Sequence, residues 1–181
     1  LVWKLTGGQH ISDASNASRT LLATLAGPGW DAGLADLFGV PTSALPEVVD
    51  SCGALGTTTA DLFGKALPIC GLAGDQQAAT IGQGCLAPGT TKATFGTGAF
   101  ILTSTGTQVP ASGHRLLATV LDQCAGVRRY ALEGSVFVAG SLMQWLRDGL
   151  GLIASTAETA EIAASVPDSA GVTIIPGHAG L

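Results

Sequence analysis

A mixed α/β architecture is predicted for this 181-residue chain by three features of its sequence. The run "ALPICGLAG" is apolar without alternation, as strands covered on both faces tend to be. The stretch "SVFVAGSLMQWLRD" carries apolar residues at helical spacing. In "TTKATFGTGAFILTST", two extended runs meet at glycines that allow a tight turn. Strands and helices interleaved in this manner define the α/β class.

Taken in order, residues 11–51 carry polar punctuation and one short helix, "WDAGLADLFGVP". It sets Leu34, Leu37 and Phe38 on one face and ends at Gly39 and Pro41. Extended pieces joined by turns follow, up to the buried strand at "ALPICGLAG". The segment "DQQAATIGQ" is then a helix that Asp75 would cap. Beyond Gly84 and the turn "APGT" come the glycine-linked strand pair, then "RLLATVLDQ" and "RRYALEG" as strands about a turn at Ala125–Gly126. The next helix gathers Val138, Leu142, Trp145 and Leu146 on one face and stops at Gly149. "STAETAEIAASVP" is another, opened by a Ser155–Glu158 capping box. "GVTIIPG" reads as a last buried strand, and the boundary between two lobes is expected near residues 84–90.

Composition narrows the partners. Hydrophobic residues make up 46% of the chain and charged residues 12%, which describes a core-rich globular protein rather than a disordered one. A net charge of −5 argues against nucleic acid and anionic membrane, both of which need clustered Lys and Arg. No apolar run approaches the roughly 18–20 residues that span a bilayer. The opening "LVWKLTGGQH" is too short and wrongly flanked for a signal peptide, and with no initiator Met a fragment is expected. Cys52, Cys70, Cys85 and Cys124 form no C-x-x-C pair, so reduced, mostly buried thiols in a cytoplasmic protein are expected. His10, His114 and His178 have no ligand spacing with them, so no metal ligands are assigned.

Three places carry residues suited to chemistry. Asp75 stands where the strand at 68–73 becomes a helix. It is either a helix cap or a carboxylate at the strand end, where α/β sheets place ligands and where it could orient an alcohol and accept its proton. Gln76 beside it can both donate to and accept from a second hydroxyl. In "ATFGTGAF", glycines on both sides of Thr97 suit either a plain hairpin or a turn whose N–H groups approach an anion. Gly140 and Gln144, four apart, share a helical face, either as a packing glycine with an exposed glutamine or as a bed for a flat, bulky group.

Together "WKLTGG", "NASRT", "GLAGDQQAA", "FGTGAF" and "ALEGSVFVAGSLMQWLRD" occur in this order and spacing. In this the chain resembles the glycerol kinases of the FGGY carbohydrate-kinase family, over essentially its whole length. The resemblance implies an actin-like, ribonuclease-H-like ATPase fold with parts of two lobes. Residues 1–84 would be the C-terminal part of the first, substrate lobe, and residues 85–181 the N-terminal part of the second, nucleotide lobe. It implies ATP and Mg2+ as cofactors, glycerol as acceptor and sn-glycerol 3-phosphate as product. Asp75 would be the catalytic carboxylate, Gln76 a substrate contact and Phe100 the apolar wall beside the glycerol carbons. Thr97, Gly140 and Gln144 would touch the nucleotide. "GDQQAA" points to glycerol over a tetritol or pentulose, the rival substrates in this family, and a non-catalytic actin-like module is the rival outside it.

Departures from the family pattern are equally visible. The "D-x-G-T-T" phosphate loop, the Arg–Glu pair with Trp and Tyr of the glycerol pocket, and the later glycine-rich adenosine segment are not in these residues. His178 stands where an apolar or aromatic residue is usual. A central fragment that is inactive alone and self-associates into a homo-oligomer through exposed edges is therefore expected.

Overall fold

The computed structural model describes residues 1–175 and residue 177; His178 lies outside them. The chain runs α1 (Val2–Thr6), β1 (Ile11–Asp13), α2 (Ala14–Ala17), α3 (Ala32–Leu37), β2 (Glu47–Val49), β3 (Cys52–Thr57), α4 (Ala60–Phe63) and β4 (Pro68–Gly71). It continues with α5 (Asp75–Gly82), β5 (Thr91–Phe95), β6 (Ala99–Gly106), β7 (Leu117–Cys124), β8 (Val127–Val136), α6 (Gly140–Asp148) and α7 (Thr159–Ala164). Strand β1 pairs in parallel with β2, and the other strands form one sheet in the order β4-β3-β7-β8-β6-β5. By its contacts the chain divides into two units, Leu1–Lys92 with Leu102–Glu133, and Ala93–Ile101 with Gly134–Leu181.

The first unit holds most of the core. Leu102, Val120, Leu121 and Ala131 are buried along the strands, and Ala14, Val120 and Tyr130 form a cluster against which Leu25 and Val48 pack. The β7–β8 hairpin turns at Ala125 and Gly126, whose φ angles of 51° and 74° are the left-handed pair a two-residue hairpin needs. Within it Asp122 is the register partner of Arg129, and the guanidinium grips the buried carboxylate with Nε–Oδ1 at 2.8 Å and Nη2–Oδ2 at 2.5 Å. That contact holds the guanidinium pKa above its ordinary value. In the second unit, α6 is followed by a 3-10 turn, Thr156–Glu158, which carries the expected Ser155–Glu158 capping box and leads into α7.

Several expectations need correction. Strand β4 lies at the end of the sheet, antiparallel to β3, and most of it is exposed, so it is an edge strand rather than a covered parallel one. Pro68, at its start, suits an edge, where a missing N–H costs nothing. In α3 the buried residue is Ala35, whereas Leu37 and Phe38 are exposed; the helix packs on the face whose small side chain allows close approach. Helix α6 begins only at Gly140, because Ser135 and Val136 extend β8, leaving Val138 buried in the connection. Residues 171–175 form no strand, and Val172, Ile174 and Ile175 are exposed. An apolar β-branched run becomes a strand only where an edge receives it. Cys52 and Cys124 are register partners on adjacent parallel strands, with Cα atoms 5.4 Å apart, and are joined as a disulfide. Cys70 is exposed and Cys85 half-buried, so the thiols are neither all reduced nor mostly buried.

One buried carboxylate ties the first unit together. Asp13 caps α2, accepting from the backbone N–H of Ser15 at 2.9 Å and of Asn16 at 3.1 Å. It also accepts from Asn16 Nδ2 at 2.7 Å and from Ser51 Oγ at 2.7 Å, and is itself fully buried. Replacing it strands several donors, each worth about 1–3 kcal/mol when unsatisfied, and removes a cap worth about 1 kcal/mol. Asp13→Ala should therefore lower the stability of the gene product carrying this chain by about 3 kcal/mol. Urea unfolding would read this as a lower midpoint at unchanged slope; a midpoint equal to the parent's would contradict it.

Candidate functional site

The candidate residues fall into two groups, one in each unit. In the first unit, Leu72–Gly74 lead from β4 into α5. The Leu72 N–H donates to Ser51 O at 2.9 Å and the Gly74 N–H to Ser15 Oγ at 2.9 Å. Gly74 is the N-cap of α5, and a Cβ there would lie 2.5 Å from Gln77 Oε1. Gln77 is buried and donates from Nε2 to Thr119 Oγ1 at 3.2 Å, pinning the first turn to β7. These bonds fix the corner without using Asp75. The expected cap by Asp75 is therefore not formed: Asp75 is the first helical residue, exposed, with its carboxylate free of the helix N–H groups.

Gln76 is half-buried beside it. Its Nε2 donates to Asp75 Oδ2 at 3.4 Å, and its Oε1 accepts from Lys92 Nζ at 2.5 Å. Lys92, on β5, is only 4% exposed. Burial pushes its ammonium below the usual lysine range, and the charges of Asp75, Glu133 and Cys85 act the other way. Glu133 on β8 is buried as well and takes a two-pronged bond from Arg19, at 2.9 and 3.1 Å. Sequence reasoning singled out none of Ser15, Gln77, Lys92 and Glu133. The available signal was a charged residue inside an otherwise strand-like run, as in "TTKATF" and "RRYALEG".

In the second unit the Gly96–Thr97–Gly98 turn is locked under the start of α6. Thr97 O accepts from the Ala139 and Ser141 N–H groups at 2.8 and 3.2 Å and from Ser141 Oγ at 3.1 Å. The Gly140 N–H donates to Gly96 O at 2.9 Å, and a Cβ on Gly140 would stand 2.5 Å from that same oxygen. Backbone contact thus demands glycine at position 140. Thr97, Gly140 and Gln144 are exposed, with Gln144 one turn further along α6, and Phe100 is half-buried on β6. The structure therefore brings Asp75 to Gln76 and Thr97 to Gly140. A cavity of about 450 Å³ in the first unit is lined by Asp13, Asn16, Leu72 and Ala73 among others, but not by Asp75.

Among the described residues, no helix is long and apolar enough to cross a membrane, and no group of three ligating side chains is poised for a metal. Solved structures define the class. A glycerol kinase of Plasmodium falciparum, crystallised with ADP, superposes with a TM-score of 0.90 at 35% identity, over 99% of this chain and 36% of that one. A xylulose kinase of Rhodospirillum rubrum gives 0.81 at 30% identity, over 99% and 37%. The fold is accordingly that of the actin-like ATPases. Residues 1–82 match the N-terminal domain of the FGGY family of carbohydrate kinases, and residues 91–181 match its C-terminal domain. This chain belongs to the FGGY family of carbohydrate kinases. Curated relatives include glycerol kinases of Methylobacterium nodulans, 54% identical, and of Rhodospirillum centenum, 52% identical, each matched over all of this chain. The chain spans 36% of the length of those relatives.

Gly140 offers a direct check of the second group. Gly140→Ala forces a Cβ against a backbone oxygen that cannot swing away, and such overpacking costs about 1–3 kcal/mol. The expected outcome is a lower thermal midpoint with faster hydrogen exchange at the Ala139 and Ser141 amides. A substitution without effect on either would remove the close approach.

Proposed function

We propose that the protein carrying this chain transfers the γ-phosphoryl group of ATP to glycerol, giving sn-glycerol 3-phosphate and ADP. The observation that carries this reading is the exposed carboxylate of Asp75, released from capping on a corner that Ser15, Ser51 and Thr119 hold still. Curated relatives named glycerol kinase, at 52–54% identity, support glycerol as the acceptor. Asp75 accepts a hydrogen bond from the hydroxyl to be phosphorylated and takes its proton as the new P–O bond forms. Gln76 binds a hydroxyl beside it, and Phe100 supplies the apolar wall for the carbons.

Thr97, Gly140 and Gln144 are assigned to the nucleotide. Their geometry suits one: an exposed threonine on a hydrogen-bonded turn, a position kept free of a side chain, and an exposed glutamine on the next helical turn. Mg2+ would be held mainly by the phosphates of ATP. Its chemistry is to spread the charge of the transferred group. Residues 1–84 belong, in this reading, to the lobe that carries the acceptor and residues 85–181 to the lobe that carries the nucleotide, a division supported by the family matches that end at 82 and resume at 91.

Glycerol-dependent ADP release by the gene product carrying this chain tests the proposal. Asp75→Asn keeps the shape but removes the proton acceptor, and should lower kcat about a thousandfold, within the usual range for a general base. A variant that turned over at the parental rate would reduce Asp75 to a charge at a helix end.

A further inference from the structure

Lys92 is a buried cation to which the proposed reaction assigns no role. It sits on β5, 4% exposed, and its Nζ donates to Gln76 Oε1 at 2.5 Å. An ammonium group has three donors and no acceptor. Facing it, an amide can present only its carbonyl oxygen. A glutamine side chain has otherwise two nearly isosteric orientations, with O and N exchanged. With Oε1 committed to Lys92, Nε2 points the opposite way, where Asp75 Oδ2 lies 3.4 Å off.

We propose that Lys92 is a positioning residue for the phosphoryl acceptor: it locks the Gln76 amide so that an N–H, and never the carbonyl, faces the Asp75 carboxylate and the hydroxyl bound beside it. The inference rests on the assignment of Asp75 and Gln76 to the acceptor site. Its chemical content is a polarity. A hydroxyl at this position donates to Asp75 and accepts from Gln76, which any alcohol can do at once. A protonated amine in the same place would have no lone pair for the Gln76 N–H, although the Asp75 carboxylate would attract its charge. The polarity therefore suits a neutral hydroxyl better than an ammonium as the partner of Gln76. Burial pushes the Lys92 ammonium below the usual lysine range, and the nearby carboxylates of Asp75 and of the buried Glu133, itself gripped by Arg19, work against that shift.

The test is a double-mutant cycle read by steady-state kinetics in the gene product carrying this chain, with Lys92→Met, Gln76→Met and the pair. Lys92→Met should raise the KM for glycerol about tenfold, the equivalent of one charge-assisted hydrogen bond, and leave the KM for ATP within about twofold. Because Lys92 acts through Gln76, the double variant should be no worse than Gln76→Met alone. Effects that multiply, a KM for ATP that rises in step, or an unchanged KM for glycerol would each overturn the inference while leaving the parental reaction intact. A parent protein without glycerol-dependent ADP release would instead overturn the assignment of Asp75, and this inference with it. Should Lys92→Met fold poorly by its thermal midpoint, Gln76→Glu serves as the second arm. A carboxylate there keeps the bond to Lys92 but has no N–H for the acceptor. The KM for glycerol should again rise about tenfold or more, and a parental value would sink the proposal.

Discussion

The buried carboxylate of Asp13 is the constraint on which the first unit depends. A charge without solvent is tolerable only when its lone pairs are filled, and here two backbone N–H groups, one amide and one hydroxyl fill them. In filling them, Asp13 fixes the end of β1, the start of α2 and the approach to β3 at a single point. Ser15 and Ser51, both bonded to Asp13, in turn receive the backbone N–H groups of Gly74 and Leu72, the first through its hydroxyl and the second through its carbonyl. The corner that carries Asp75 is thus built from behind.

That arrangement explains why Asp75 is available. A carboxylate at a helix start ordinarily satisfies the orphan N–H groups of the first turn, and a carboxylate so occupied is poorly placed to meet a substrate. Gly74 takes the cap position instead, with the buried Gln77 tying the first turn to β7. The exposed face of α5 then keeps Asp75 and Gln76 as adjacent polar groups of fixed direction, the second steered by Lys92. The second unit works by the same economy of backbone contact: Gly140 against Gly96 leaves no room for a side chain, and the turn that carries Thr97 is hydrogen-bonded to the start of α6.

Much of this was legible in the sequence, though unevenly. Glycine punctuation gave away the β5–β6 and β7–β8 turns, because a left-handed residue or a close backbone approach leaves few other choices. The motif around Asp75 marked the corner, yet its role as a cap was misread, since a cap is decided by backbone dihedrals and by what lies behind it. The strand at 68–71 looked buried from its composition, but whether a strand is central or at an edge is a property of the sheet order. Ser15, Lys92 and Glu133 escaped notice for a related reason. The partner of Ser15 lies 59 residues away and that of Glu133 lies 114 away, so even where a charge in a strand-like run marks the residue, no local pattern names its partner.

The same long separations bear on how the molecule comes together in time. The bonds from Asp13 to Ser51, Ser15 to Gly74 and Ser18 to Thr119 close loops of 38, 59 and 101 residues, whereas the β7–β8 hairpin closes over a two-residue turn. Loop-closure entropy opposes the former far more than the latter, and contacts of that kind slow folding. The hairpin should therefore order first and the Gly74 corner late, so that a nascent or newly diluted chain passes through a state with a formed β7–β8 hairpin and an unassembled corner at Asp75. Pulsed hydrogen exchange during refolding would refute this order if the Gly74 amide gained protection as early as those of Tyr130 and Ala131.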